Sequence, residues 1–150
     1  TLHTNDAPSS LTRLHDLGVQ PFLTAATILG VLAQRLVRKL CPHCKQESFL
    51  NEQEWQHLAA DYPLPRPEFV FKAVGCEECR HTGYKGRIGI YEFMPLSLTT
   101  KQLIGADANL NQLRQQAKKE GVEPLRIAGA RKILEGVTTL EEVLRVVPLN

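Results

Sequence analysis

The 150-residue chain has no long hydrophobic run: its longest apolar stretch, Ile28 to Ala33, falls far short of the roughly 20 residues that span a bilayer. Aromatic residues are scarce at 6%, so the core is expected to be built from aliphatic side chains. The formal net charge of +2 is too near neutral to argue for a nucleic-acid partner. No basic segment followed by an apolar one marks an export signal, and the first residue is Thr rather than Met. The chain therefore reads as a fragment that begins inside a domain. No Gly-x-x-x-x-Gly-Lys-Ser/Thr occurs, so a P-loop phosphate cradle is excluded from this stretch; Gly-x-Ser-x-Gly and His-Glu-x-x-His are missing too. Repeats and low-complexity segments are also absent.

What is present is a set of four cysteines in two pairs, Cys41-Pro-His-Cys44 and Cys76-Glu-Glu-Cys79. Two residues between thiolates let one tight turn aim both sulfurs at one point, and two such knuckles complete the tetrahedral, all-thiolate shell of structural Zn²⁺. Gly75 suits a sharp turn before the second knuckle. Two disulfides would need an oxidising compartment and usually a small secreted chain. A redox centre would need only one pair, near a βαβ pattern. Zinc is favoured over both. His43 and His81 flank the knuckles, but four thiolates already fill the shell, and both read as solvated loop residues. Reduced cysteines without an export signal point to the cytoplasm.

Along the chain, residues 1–7 read as a strand end running into a polar turn, with Asp6 capping a helix that Gly18 closes. Pro21 is expected to open a longer helix through about Leu40, its apolar face formed by Phe22, Ala25, Ile28, Leu29, Leu32, Leu36 and Leu40. Arg35, Arg38 and Lys39 would then complement the negative end of its dipole. Asn51-Glu-Gln-Glu54 opens a short helix carrying Trp55 and Leu58, and Pro63, Pro65 and Pro67 forbid regular structure after it. Residues 69–74 and 87–94 read as strands, so the metal would pin a helix end to the junction of two strands. Beyond Ser97 the pattern is helical: a short helix with Leu98, one capped by Asn109, one from Leu125 to Leu134, and a last one capped by Thr139.

Two further places could carry chemistry. His3 stands at the expected strand end, where α/β folds put ligand-facing groups. Gly83-Tyr-Lys-Gly-Arg-Ile-Gly89 frames Lys85 and Arg87 with glycines, so amides and cations could meet an anion there. On spacing alone, a structural histidine and a glycine-rich turn closing the ribbon, with Tyr84 packed on the metal site, are favoured.

Taken in order, Thr1-Leu-His-Thr-Asn5, Leu32-Ala-Gln-Arg-Leu-Val37, the paired knuckles, Gly83-Tyr-Lys-Gly-Arg87 and Thr138-Thr-Leu-Glu-Glu-Val143 resemble the C-terminal part of the type II secretion and type IV pilus assembly ATPases. The likeness covers essentially the whole chain, and the cysteine insertion favours the secretion or assembly branch over the retraction ATPases. It implies a parent with a RecA-like, P-loop α/β core that uses ATP and Mg²⁺. Such a parent forms a homo-hexamer at the cytoplasmic face of the inner membrane, against platform proteins, and drives pseudopilus or pilus polymerisation. It also implies a catalytic His3 in a histidine box near the γ-phosphate, a structural helix with a relay role at Arg35 in its Ala-Gln-Arg-Leu stretch, and zinc on Cys41, Cys44, Cys76 and Cys79. With the glycine-framed Lys85 and Arg87, Arg35 is the candidate for nucleotide or intersubunit contact. The P-loop, acidic boxes and arginine fingers would lie upstream.

On this reading the chain is mainly α with a small β zinc-ribbon insertion: 1–40 ends the nucleotide core as a strand end plus two helices, 41–96 binds zinc, and 97–150 is a helical subdomain. Phosphoryl transfer depends on positioned phosphates and Mg²⁺, which this stretch does not supply, so the chain is not expected to be an enzyme by itself. Helices of the first forty residues that have lost their central sheet are expected to self-associate, in a contact unrelated to the hexamer. The alternative is a free-standing zinc-ribbon module for nucleic acid. Its basic stripe with stacking aromatics is not found here, where Lys and Arg are scattered.

Overall fold

The computed structural model describes residues 2–147 and Leu149. Its elements run α1 (Ala7–Asp16), α2 (Pro21–Thr27), β1 (Gly30–Leu40), β2 (Gln46–Ser48), α3 (Glu52–Leu58), β3 (Val70–Lys72), a single 3₁₀ turn (Glu77–Cys79), β4 (Tyr84–Pro95), α4 (Leu98–Gly105), α5 (Leu110–Lys119), α6 (Leu125–Leu134) and α7 (Leu140–Val146). The chain is mixed α/β. Among the described residues β1 pairs with β4 and β2 with β3, in two separate two-stranded sheets. Two compact units result, one from 1–34 with 91–124 and one from 35–90 with 125–150. Strands β1 and β4 each contribute residues to both. Each of the consecutive segments 1–40, 41–96 and 97–150 therefore supplies residues to both units.

In the first unit, α1 begins where its sequence says it should. The Asp6 carboxylate accepts from the Ser9 N–H at 2.8 Å, the Ser9 hydroxyl accepts from the Asp6 N–H, and Pro8 occupies the first turn. The helix closes when Gly18 N–H reaches His15 O and Val19 N–H reaches Leu14 O, which satisfies two terminal carbonyls. Arg114 on α5 donates to Asp6 at 2.8 Å, so one cap residue also ties two helices together. Glu92 on β4 is buried and accepts the Ala7 N–H at 2.9 Å, a carboxylate at the positive end of α1. Leu11, Met94, Ile104 and Leu113 form the buried centre. Leu2 to Thr4 carry no regular structure, so the expected strand end is not there; Thr1 lies outside the described residues.

The largest departure from the sequence reading is the second helix. It ends at Thr27, and Gly30–Leu40 is a strand. The apolar residues counted as a helical face do not share one: Leu40 is buried while Phe22, Leu29, Leu32 and Leu36 are exposed, and the strand instead buries Ala33 and Val37, which that face left out. Burial along β1 alternates from Val31 to Val37, the period of a pleated strand. Gly30 permits the change. A Cβ there would sit 3.0 Å from the Phe93 ring, so the aromatic of β4 lies directly on the β1 backbone. Leu, Ala, Gln and Arg favour helices by propensity, but pairing with β4 overrides a preference of a few tenths of a kcal/mol per residue. Arg35, Arg38 and Lys39 therefore complement no helix dipole. For the same reason the knuckles adjoin the end of a strand, not of a helix.

In the second unit, β2 and β3 pair antiparallel, with Gln46 opposite Lys72, Glu47 opposite Phe71 and Ser48 opposite Val70. The Asn51 side chain caps α3 by accepting the Glu54 N–H, and Trp55 and Leu58 are buried. Its C-terminal carbonyls are met by a cation: Arg126 on α6 donates to Leu58 O at 2.5 Å and to Ala60 O at 2.8 Å. Helices α3, α6 and α7 pack together, with Ile127 and Val143 fully buried.

Candidate metal centre

The two knuckles are local turns that the sequence dictates. In the first, the Cys44 and Lys45 N–H groups both turn back onto Cys41 O. In the second, Cys79 N–H and His81 N–H return to Cys76 O at 3.2 and 2.8 Å. Their meeting brings all four Sγ atoms within 4.8 Å of one another. Three edges of the group, Cys41–Cys76, Cys44–Cys79 and Cys76–Cys79, each measure 3.8 Å. A tetrahedron with metal–sulfur bonds of ~2.3 Å has sulfur–sulfur edges of about 3.8 Å. A disulfide would need ~2.05 Å, and all four cysteines are free thiols. The donor set thus fits one tetrahedrally held metal ion.

The surroundings favour ionised sulfur. Backbone N–H groups of Cys76 and Gly83 reach Cys79 Sγ at 3.2 Å, and that of Gly75 reaches Cys44 Sγ at 3.3 Å. Burial pushes the Cys79 thiol up, but the Cys76 and Gly83 N–H groups outweigh it and hold the thiol at about 6. Cys76 goes the other way: burial and the neighbouring sulfurs push it up to about 11. Four sulfurs this close cannot all ionise unless a multivalent cation offsets them, and soft thiolates select such a cation. Cys41 and Cys79 are buried and Cys44 and Cys76 half-buried, while His43 and His81 are exposed beside them.

The other candidate residues are scattered. His3 is exposed ahead of α1, in the first unit. Arg35 is half-buried on β1, Arg87 is exposed on β4, and Lys85 pairs with Glu78 of the second knuckle at 3.5 Å. Near Lys85, the turn's amides are used internally: Gly83 N–H goes to Cys79 Sγ and Tyr84 N–H to the Thr82 hydroxyl. Tyr84 does not pack on the metal site as the sequence suggested. Its ring lies under the Arg38 guanidinium, 4.1 Å from centroid, and its hydroxyl is 2.8 Å from Thr139 Oγ1.

Sequence reasoning missed the residue at the centre of this arrangement. Glu142 is buried and accepts from the Arg38 N–H at 3.0 Å, from the Arg38 guanidinium at 2.8 Å and from Arg145 at 2.8 Å. Its one signal was the Thr139-x-x-Glu142 capping pattern. Thr139 Oγ1 does accept the Glu142 N–H at 3.0 Å, but the carboxylate serves the arginines.

The chain is similar in sequence to several known proteins. Type IV pilus assembly ATPase TfpB of Acinetobacter baylyi is 74% identical over 150 residues, covering 100% of this chain and 26% of the relative. Type II secretion system protein E of Pseudomonas aeruginosa is 46% identical over 146 residues, 97% of this chain and 28% of the relative. Type IV pilus assembly ATPase PilB of Thermus thermophilus is 41% identical over 144 residues, 96% of this chain and 16% of the relative. The chain thus spans between 16% and 28% of the length of these relatives. Residues 1–145 match the family model described as "Type II/IV secretion system protein", and the chain belongs to that family.

Proposed function

We propose that this chain is the C-terminal portion of a hexameric ATPase that powers type IV pilus assembly. The 74% identity to a type IV pilus assembly ATPase over the whole chain carries the reading. A RecA-like core holding the P-loop would lie upstream and bind ATP with Mg²⁺. His3 would contact the nucleotide there, and Arg35, Lys85 and Arg87 would meet nucleotide or a neighbouring subunit. The parent would work in the cytoplasm against platform proteins of the inner membrane; no described helix is long and apolar enough to cross a membrane. The ion on Cys41, Cys44, Cys76 and Cys79 is zinc. An all-thiolate tetrahedron with no open position suits a metal that holds structure, and zinc supplies no redox chemistry. Segment 41–96 is the metal-binding part in this scheme, between the end of the nucleotide core (1–40) and the helical segment (97–150).

In the parent protein, His3→Ala is expected to lower ATP turnover on the order of 100-fold, the usual cost of one lost transition-state contact. The zinc content should be unchanged, and the strain should lose surface pili while exoprotein secretion continues. Full turnover with normal piliation would sink the proposal, and lost secretion with normal piliation would move the parent to the type II branch.

The chain by itself is expected to self-associate through its first forty residues. Leu29 and Leu32 stand exposed on and beside β1, and burying them between two copies would remove apolar area worth about 25 cal/mol per Å². Light scattering should report an oligomer that Leu29→Asn with Leu32→Thr dissociates. A monomeric unsubstituted 150-residue chain would count against it.

A further inference from the structure

Within the unit of residues 35–90 and 125–150, the flanks of the knuckles converge on one short stretch, 136–142, which leaves α6 and opens α7. Lys45, the residue after Cys44, donates from Nζ to Gly136 O at 2.9 Å. Leu40, the residue before Cys41, donates its N–H to Val137 O at 2.8 Å. The Thr138 hydroxyl donates to Arg38 O at 2.8 Å. Tyr84 follows Gly83, whose N–H holds Cys79 Sγ, and its hydroxyl lies 2.8 Å from Thr139 Oγ1, the cap of α7. Arg38 closes the set by stacking on Tyr84 and binding Glu142. Four successive residues, Gly136 to Thr139, are each held by a residue close in sequence to one of the knuckles: Lys45, Leu40, Arg38 and Tyr84.

Two of the anchoring segments, the end of β1 and the start of β4, belong to paired strands, while the third, at Lys45, lies on the first knuckle outside that sheet. Lys45 sits on the first knuckle, Leu40 and Arg38 at the end of β1, and Tyr84 at the start of β4, after the second knuckle. Ligation of one ion by both knuckles ties the Lys45 segment and the second knuckle to that strand pair. The element they grip cannot stand alone: α7 has 7 residues, and isolated helices below ~12–15 residues are marginal in water.

We propose that the metal centre is a clasp for the C-terminal helix pair, so that metal binding and the docking of α6–α7 are thermodynamically coupled. Loading the site determines whether α7 is formed, and docking of residues 136–142 raises metal affinity by the same factor. The sequence had suggested that all helices beyond Ser97 form one subdomain apart from the zinc-binding segment. The structure divides them instead: α4 and α5 belong to the other unit, and α6 and α7 to the unit that holds the cysteines.

The clasp rests on the zinc reading, and one experiment separates the two. Hydrogen exchange is followed on the purified 150-residue chain before and after chelation, with zinc content measured in the same samples. Zinc removal is expected to speed exchange in 125–146 at least tenfold and to leave α1, α4 and α5 protected. Tyr84→Phe, which keeps the ring under Arg38 and removes only the hydroxyl, is expected to weaken zinc binding about three- to tenfold in competition with a chromophoric chelator, the range of one ordinary hydrogen bond. Zinc bound but exchange in 125–146 unchanged on its removal overturns the clasp alone, as does unaltered affinity in the tyrosine variant. A chain that carries no zinc overturns both readings.

Discussion

Glu142→Ala is expected to destabilise the unit of residues 35–90 and 125–150 by about 3 kcal/mol, measured by denaturant unfolding at neutral pH. The side chain has 0% exposure and accepts from both arginines and from the Arg38 backbone. Removing one partner of a buried pair costs 3–5 kcal/mol when the survivor stays buried. Here the survivors keep water, since the Arg38 and Arg145 side chains are 44% and 58% exposed, so the lower end applies. Glu142→Gln should cost nearly as much, because shape is kept and charge is lost. Arg38→Met combined with Glu142→Leu should recover part of the loss, since an apolar pair leaves no stranded charge. A cost below about 1 kcal/mol for the alanine variant would show that the cluster is not needed to hold β1 to α7.

The same carboxylate gives a pH signature. Burial pushes its pKa up, but donors from Arg145 and Arg38 outweigh that and hold it at about 2, against an ordinary 4.5. A depressed folded value means that the unfolded chain takes up the proton first as pH falls. The carboxylate's contribution is thus present in full above 4.5 and is lost on the way down through about 2. The stability gap between the native chain and Glu142→Gln is expected to shrink between pH 5 and pH 2 and to stay flat above. A gap that persists unchanged at pH 2 would mean the carboxylate was never held as an anion.

Local signals explain what the sequence could show. Helices α1, α3, α4, α5 and α7 start at side-chain caps, which act over three residues and can be read directly. The knuckles are legible for the same reason, because two residues between cysteines fix a turn. What failed was non-local. Strand β1 is built from good helix formers whose leucines happen to recur every three or four positions, and only its pairing with β4 makes it a strand. Glu142 finds Arg38 across 104 residues, a contact no window could see. Tyr84 sits next to the metal knuckle in sequence, which made the metal its obvious neighbour, yet Arg38 and Thr139 take it. The clasp is invisible from sequence for the same reason, since its bonds join segments about a hundred residues apart in the chain.

Gly83→Ala is expected to weaken zinc binding roughly a hundredfold, whereas Gly86→Ala should weaken it only about fivefold, at ~1.4 kcal/mol per tenfold. The two glycines have nearly the same backbone, with φ of +79° and +81°. An alanine at either carries a left-handed cost of about 1 kcal/mol. They differ in what a Cβ would meet. At Gly86 the nearest atom is the flexible Lys39 Cδ at 3.8 Å. At Gly83 it is Ala73 Cβ at 2.6 Å, with Ala73 Cα and Val74 N at 3.0 Å. Those atoms belong to the backbone or are fixed to it, so relief requires the segment leading to the second knuckle to move, adding overpacking of about 2 kcal/mol. Gly83 is also where both knuckles meet, because its N–H holds Cys79 Sγ and its carbonyl accepts the Cys41 N–H at 2.9 Å. Displacing it therefore shifts a ligand from each pair, while Gly86 lies beyond the turn. Competition titrations of both variants against the same chelator decide the matter. Equal weakening would show that the left-handed backbone alone matters, and that the close approach of Gly83 to Ala73 does not position the sulfurs.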